Sequence, residues 1–293
     1  MRRVLFGLAL ALWALAAQAQ PAWQQLLLSG NTITALNGLV GYWPLDEGGG
    51  SVAFDYSGNG NNGTLVNSPT WTTGQIKGAL SFNGTNQYIN LGKANTFNLN
   101  QDLTISAWIK LPTVPVGGSA PVIIGDISSN GQNTQYNLRV SFANTGDIMF
   151  GWGVPSHDRI WTTAGGVISA GSWYHVVMTR VGTGTPSDVV TIYVNGFSKA
   201  LASTGDASTA PAFSNVGNTS IGRNGDGSGY FPGTIDDPRI YNRVISAAEV
   251  AQIYNAGLGG HAANDNEPQA PRRFAANDNL KLPPQLYVVA RGD

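Results

Sequence analysis

The segment Trp152-Gly153-Val154-Pro155-Ser156-His157-Asp158-Arg159-Ile160-Trp161 sets an imidazole, a carboxylate and a guanidinium between two indoles. Sugar recognition needs flat apolar faces against the C–H surface of the ring, beside directional polar groups for its hydroxyls. Trp152, His157, Asp158, Arg159 and Trp161 supply both and form the candidate ligand-binding set. A competing reading packs Trp152 and Trp161 into a core and leaves His157, Asp158 and Arg159 as a solvated loop. A second constellation, Asp55-Tyr56-Ser57-Gly58-Asn59-Gly60-Asn61, alternates oxygen-bearing side chains with glycines. Calcium takes such a supply of carboxylate, amide and carbonyl oxygens. The loop begins like an EF-hand, but Val66 stands where the bidentate Glu is required, so that motif is excluded. The same residues also make an Asx-rich turn closed by its own hydrogen bonds. In Asn224-Gly225-Asp226-Gly227-Ser228-Gly229 the glycines favour a flexible turn, at a kind of position where rigid scaffolds often carry binding residues.

The chemistry of hydrolysis is harder to assemble. Glycoside cleavage needs two facing carboxyl groups. The chain has three glutamates: Glu47 in a turn, Glu249 at a helix start and Glu267 near the end. Asp236 and Asp237 are adjacent and would point to opposite faces of a strand. There is no His-Glu-x-x-His, no Gly-x-Ser-x-Gly and no phosphate-binding glycine loop in the sequence. The expectation is a chain that is not an enzyme.

The elements that must position these residues are short strands. Leu39 to Leu45, 79–82, 87–91, 103–110, 121–127, 136–142, 147–152, 173–181 and 188–194 read as strands with turn clusters between them. Asn83-Gly84-Thr85-Asn86 reads as a hairpin turn, and Asn195-Gly196 suits a type I′ turn. In 103–110, Leu103, Ile105, Ala107 and Ile109 share the core face, and Trp108 lies on the other. Trp43, Trp108 and His175 are read as structural. One helix is expected from Ser246 to Asn255, with Ser246 and Glu249 as a capping box and Gly257 as terminator. Many antiparallel strands with one late helix imply an all-β, two-sheet antiparallel sandwich.

The ends differ from this body. Arg2 and Arg3 precede an apolar run from Val4 to Leu15, and Ala17-Gln18-Ala19 suits a signal peptidase, so residues 1–19 are expected to be a signal peptide. Residues 20–37 form an extension, 38–257 one domain and 258–293 a low-complexity tail. The tail repeats Ala-Ala-Asn-Asp-Asn at 262–266 and 275–279, and it ends in Arg-Gly-Asp, a match too short to carry meaning. No other stretch is long and apolar enough to span a bilayer, so no membrane span is expected after signal cleavage. The chain has no cysteine, and its net charge of −1 argues against nucleic acid as a partner. A secreted location, extracellular or at the cell surface, with the periplasm also allowed, follows from the leader.

In order and spacing, Gly38-Leu39-Val40-Gly41-Tyr42-Trp43-Pro44-Leu45-Asp46-Glu47, the Asp55 loop, Gly78-Ala79-Leu80-Ser81-Phe82-Asn83-Gly84, the 103–110 strand, Trp173-Tyr174-His175-Val176-Val177, Ile192-Tyr193-Val194-Asn195-Gly196, Gly233-Thr234-Ile235-Asp236-Asp237 and Arg239-Ile240-Tyr241-Asn242-Arg243 resemble the laminin-G-like or concanavalin A-like jelly rolls of bacterial secreted proteins. The resemblance covers most of Leu39 to Asn255. It implies a jelly roll, often a structural calcium, and a role in recognising a polysaccharide or glycan, or in adhesion to a surface protein. It points to Asp55, Asn59 and Asp236 as calcium ligands. Pro238 departs from the family pattern and implies an edge position or a bulge in the last strand.

Overall fold

The computed structural model describes residues 37–92, 97, 102–117, 120–127, 134–141, 143, 145–152, 159–182, 188–203 and 218–259. Among them, two antiparallel sheets face one another. One sheet contains β1 (Leu39–Tyr42), β4 (Thr70–Thr73), β5 (Gly78–Asn83), β7 (Leu103–Lys110), β12 (Trp173–Val181), β13 (Val189–Val194), β14 (Phe197–Ser198) and β17 (Pro232–Tyr241). Its order is β14-β13-β12-β7-β17-β5-β4, and β1 also pairs with β17. The other contains β2 (Val52–Ala53), β3 (Gly63–Val66), β6 (Tyr88–Gly92), β8 (Val122–Ile127), β9 (Thr134–Val140), β10 (Ile148–Trp152), β11 (Arg159–Thr163), β15 (Leu201–Ser203) and β16 (Asn218–Ile221), in the order β15-β11-β10-β9-β8-β16-β6-β3-β2. The helix α1 (Ala247–Gly259) lies on the outer face of the first sheet, hereafter the helix sheet; the second is the open sheet.

Alternation along each strand decides what enters the core. On the open sheet, Leu65, Ile89, Ile221, Ile124, Leu138, Phe150 and Trp161 are paired strand to strand, a continuous apolar row across the inner face. Leu80, Ile235, Ile109 and Tyr174 form a matching row on the helix sheet. Burying a row of this kind stabilises the sandwich by about 1.5–3 kcal/mol per large apolar side chain. The outer face of β7 is also buried, since Trp108 stacks on Tyr254 of α1 with ring centroids 5.6 Å apart.

Several sequence expectations are corrected here. Asn83 to Asn86 is a tight turn, with Asn83 Oδ1 accepting from the N–H groups of Thr85 and Asn86, but it does not close a hairpin. β5 pairs with β4 and β17, whereas β6 pairs with β3 and β16 in the other sheet. Local turn chemistry reverses the chain without specifying which sheet receives it. Pro238 sits at a bulge between Asp236 and Arg239, as expected, but β17 is central and not at an edge. Asn195 and Gly196 both have positive φ, as a type I′ turn requires. The capping box forms as expected, with the Ser246 amide donating to Glu249 Oε2 at 2.7 Å and the Glu249 amide donating to Ser246 Oγ at 3.3 Å.

Candidate functional site

The structure takes the 152–161 region apart. His157 and Asp158 lie outside the described residues. Trp161 belongs to the core and stacks on Phe150 at 5.7 Å. Trp152 faces inward beside it, and the Arg180 guanidinium covers its ring at 3.5 Å from the centroid. Arg159 is buried and shares Asp188 with Arg180, at 3.4 and 2.7 Å. Neither indole therefore offers solvent a face for stacking. The pattern that suggested a sugar platform is the inner face of two paired strands, because Phe150 pairs with Trp161 and Trp152 with Arg159.

The three residues implied for calcium are separately engaged. Asp55 Oδ1 accepts from the amides of Tyr42 and Ser57, at 3.0 and 2.8 Å, and Oδ2 from Ser57 Oγ and the Asn61 amide, at 2.8 and 2.9 Å. Asn59 turns its Nδ2 toward Leu39 O at 3.0 Å, so the donor end of the amide serves the chain. The loop is an Asx-rich clasp that ties 55–61 to β1. Asp236 is wholly buried on β17, with Oδ2 accepting from the Ile76 amide at 2.8 Å. Burial first, and then the neighbouring Asp237 charge, push its carboxyl up to about 9. No cluster of three or more His, Cys, Asp or Glu suited to a metal occurs among the described residues. As arranged, Asp55, Asn59 and Asp236 do not fit one calcium ion.

Two constellations look catalytic in isolation. Ser106 Oγ lies 2.9 Å from His175 Nε2, but both are buried in the region that α1 covers, where His175 contacts Tyr254. Burial drives the His175 pKa down to about 3, with the Arg239 charge adding to the effect. The imidazole is therefore neutral and sealed. Asp236 and Asp237 are also buried, and Asp237 is bound to Arg239. Neither set can reach a substrate from solvent.

What does meet solvent is a row on the outer face of the helix sheet, beyond the reach of α1. Trp173 pairs with Lys110, Lys110 with Thr234, Thr234 with Ser81 and Ser81 with Thr70. Inward-facing Tyr174, Ile109, Ile235 and Leu80 hold this row by alternation. Trp173, Lys110, Thr234 and Ser81, with Thr72, Asn83 and Pro232, line an open groove of about 360 Å³. The groove offers one partly exposed indole, a bank of hydroxyls and one ammonium, and no carboxylate among its lining residues. The sequence reads 173–181 as a strand and His175 as structural, and Trp173 was not singled out. The parity that sends Tyr174 and Val176 inward sends Trp173 outward, and that signal was available.

Comparison with known proteins places this architecture. No curated protein matches the chain. The binding domain of the paraclostridial mosquitocidal protein 1 superposes with a TM-score of 0.54 at 18% identity, over 76% of this chain and 53% of that one. The receptor-binding domain of the botulinum neurotoxin mosaic serotype C/D gives 0.55 at 13% identity, over 76% and 51%. The binding domain of botulinum neurotoxin DC, solved in complex with SialylT, gives 0.51 at 12%, over 76% and 52%. The chain thus spans about half the length of these domains, and the likeness is one of fold. Residues 83–251, more than half of the chain, match a family model, and the chain belongs to the concanavalin A-like lectin/glucanases superfamily.

Proposed function

We propose that this chain is an exported, non-catalytic module that binds a neutral polysaccharide through the groove on the helix sheet. The carrying observation is the row Trp173–Lys110–Thr234–Ser81, which sets an indole and hydroxyls along one open face with no carboxylate among the groove residues. The indole covers a ring face and the hydroxyls and ammonium read its oxygens. The shallow shape admits a chain at any point along its length, which a polymer requires and a small metabolite does not. Asp236 and Asp237 are buried, Asp237 is bound to Arg239 and the groove is lined by no carboxylate, which supports binding without cleavage. The binding and receptor-binding domains that share the fold agree with this reading.

A glycan array probed with the chain from Gln20 onward tests it. Signal on neutral polysaccharides is expected, with Trp173→Ala weakening the binding by about 1–3 kcal/mol, or roughly 5- to 150-fold, for loss of one stacking ring. An array with no signal, or one that Trp173→Ala leaves unchanged, refutes the groove.

A further inference from the structure

The groove has two banks, and both run across the strands. The first is the row Trp173, Lys110, Thr234 and Ser81, one residue from each of β12, β7, β17 and β5. Two residues further along their strands, Pro112, Pro232 and Asn83 form the second bank on the same face, with Pro232 paired to Asn83. Gly171 takes the corresponding place beside Trp173 and adds no side chain. The amide of Asn83 is spent on its own turn, since Oδ1 accepts from the Thr85 and Asn86 amides and Nδ2 donates to Asn86 Oδ1 at 2.9 Å. The groove is therefore polar along one side, with two hydroxyls and an ammonium, and apolar along the other, with two pyrrolidine rings.

The spacing of the banks decides what fits between them. Neighbouring strands lie about 4.8 Å apart, so three gaps carry the row over about 14 Å from Trp173 to Ser81, and a two-residue step along a strand sets the banks about 7 Å apart. The long axis of the groove thus crosses the strands. An extended chain of β-1,4-linked pyranoses advances by nearly one strand spacing per ring, with hydroxyls along its edges and C–H groups on its ring faces. A helical α-1,4-linked glucan curls away from such a row after one or two rings and leaves Thr234 and Ser81 without partners.

We propose that the groove, taken as the polysaccharide site above, selects an extended β-1,4-linked chain laid across the strands, one ring per strand and four rings in all; this choice of linkage, direction and length rests on that reading. Trp173 stacks on the first ring and anchors it. Lys110 donates to hydroxyl oxygens of the second ring, and Thr234 and Ser81, which both donate and accept, read hydroxyls of the third and fourth. Pro112 and Pro232 cover C–H surface of the two middle rings.

The test is titration calorimetry of the chain with oligosaccharide ladders of two to six units, the cello-, xylo- and manno-series for β-1,4 linkage and the malto-series for α-1,4. In at least one β-1,4 series the affinity is expected to rise with each unit up to the tetramer and then level off, with the malto-series about tenfold weaker or worse. Ser81→Ala should weaken the tetramer about three- to tenfold and leave the trimer unchanged. Thr234→Val gives the same comparison one ring earlier if Ser81→Ala does not fold. Trp173→Ala should weaken every length. A plateau at the dimer, malto-oligosaccharides bound as tightly as the β-1,4 chains, or a tetramer indifferent to Ser81→Ala overturns this assignment, and the groove still stands if Trp173→Ala weakens every length. Binding that Trp173→Ala leaves unchanged, or no binding in any series, overturns the groove and this assignment with it.

Discussion

Asp236 shows how far burial can move one carboxyl. Held to about 9 in the fold, it keeps a proton that the unfolded chain releases near 3.8, so it contributes stability below about pH 4 and loses it as pH rises toward 9. His175 acts in the opposite sense: its depressed pKa gives stability above 6.5 that is lost as pH falls toward 3. Asp126, raised to about 6 by burial, completes its own loss near that pH. The interval from pH 6.5 to 9 therefore isolates Asp236. There the stability of the wild type should fall by on the order of 1 kcal/mol per pH unit, and Asp236→Asn should flatten that slope and raise the midpoint at pH 8. An unchanged slope in the variant would show that the carboxyl is ionised. Asp55 makes a contrasting case, because four donors hold its two oxygens. Asp55→Ala should cost about 2–4 kcal/mol, with the same loss in calcium and in chelator. A wild-type melting temperature that rises with calcium would mean that the loop holds the ion after all. The sequence showed that Asp55 to Asn61 was rich in oxygen and glycine, and both a calcium loop and an Asx turn satisfied that composition. Which groups point at the carboxylate depends on β1, 13 residues earlier in the chain, and no local pattern contains that.

At the scale of elements, periodicity was legible and partnership was not. Alternation located β7, β12 and β13 to within a residue, and Ser246 with Glu249 marked the start of α1. The end of α1 was misjudged, because Gly257 looks like a terminator but lies inside the helix. It is glycine for packing: a Cβ there would lie 2.5 Å from the Trp108 indole. Gly257→Ala gains about 1 kcal/mol in helix propensity but must displace that ring, and overpacking of this kind costs about 1–3 kcal/mol. The variant should melt lower than wild type; a higher melting temperature would show that α1 can ride up off the sheet. The same limit explains the 152–161 region. Two tryptophans nine residues apart were visible, but only the pairing of Phe150 with Trp161 and of Trp152 with Arg159 shows that both indoles face the interior. The groove was overlooked for the converse reason. Alternation with Tyr174 and Val176 turns Trp173 outward, but that this outer face is left uncovered follows from α1 stopping short of that end of the sheet, which tertiary structure alone decides.

The whole molecule is a sandwich held by one core, with α1 closing a second apolar cluster of Leu39, Val177, Tyr241, Ile245, Val250 and Ile253. A chain that stops at Gly260 keeps every one of these contacts, so its melting temperature should match that of the full chain. A drop of many degrees would assign the 261–293 tail a place in the fold. With its core rows and both clusters accounted for, the molecule keeps an open groove edged by an indole and lined by no carboxylate. Affinity electrophoresis of the chain through gels containing neutral polysaccharides, with the gel polymer assayed afterwards for new reducing ends, tests that combination directly. Retardation of the wild type by at least one polymer is expected, with free migration of an equally stable Trp173→Ala and no reducing ends from either. Equal retardation of both proteins, or reducing ends released by the wild type, would contradict it.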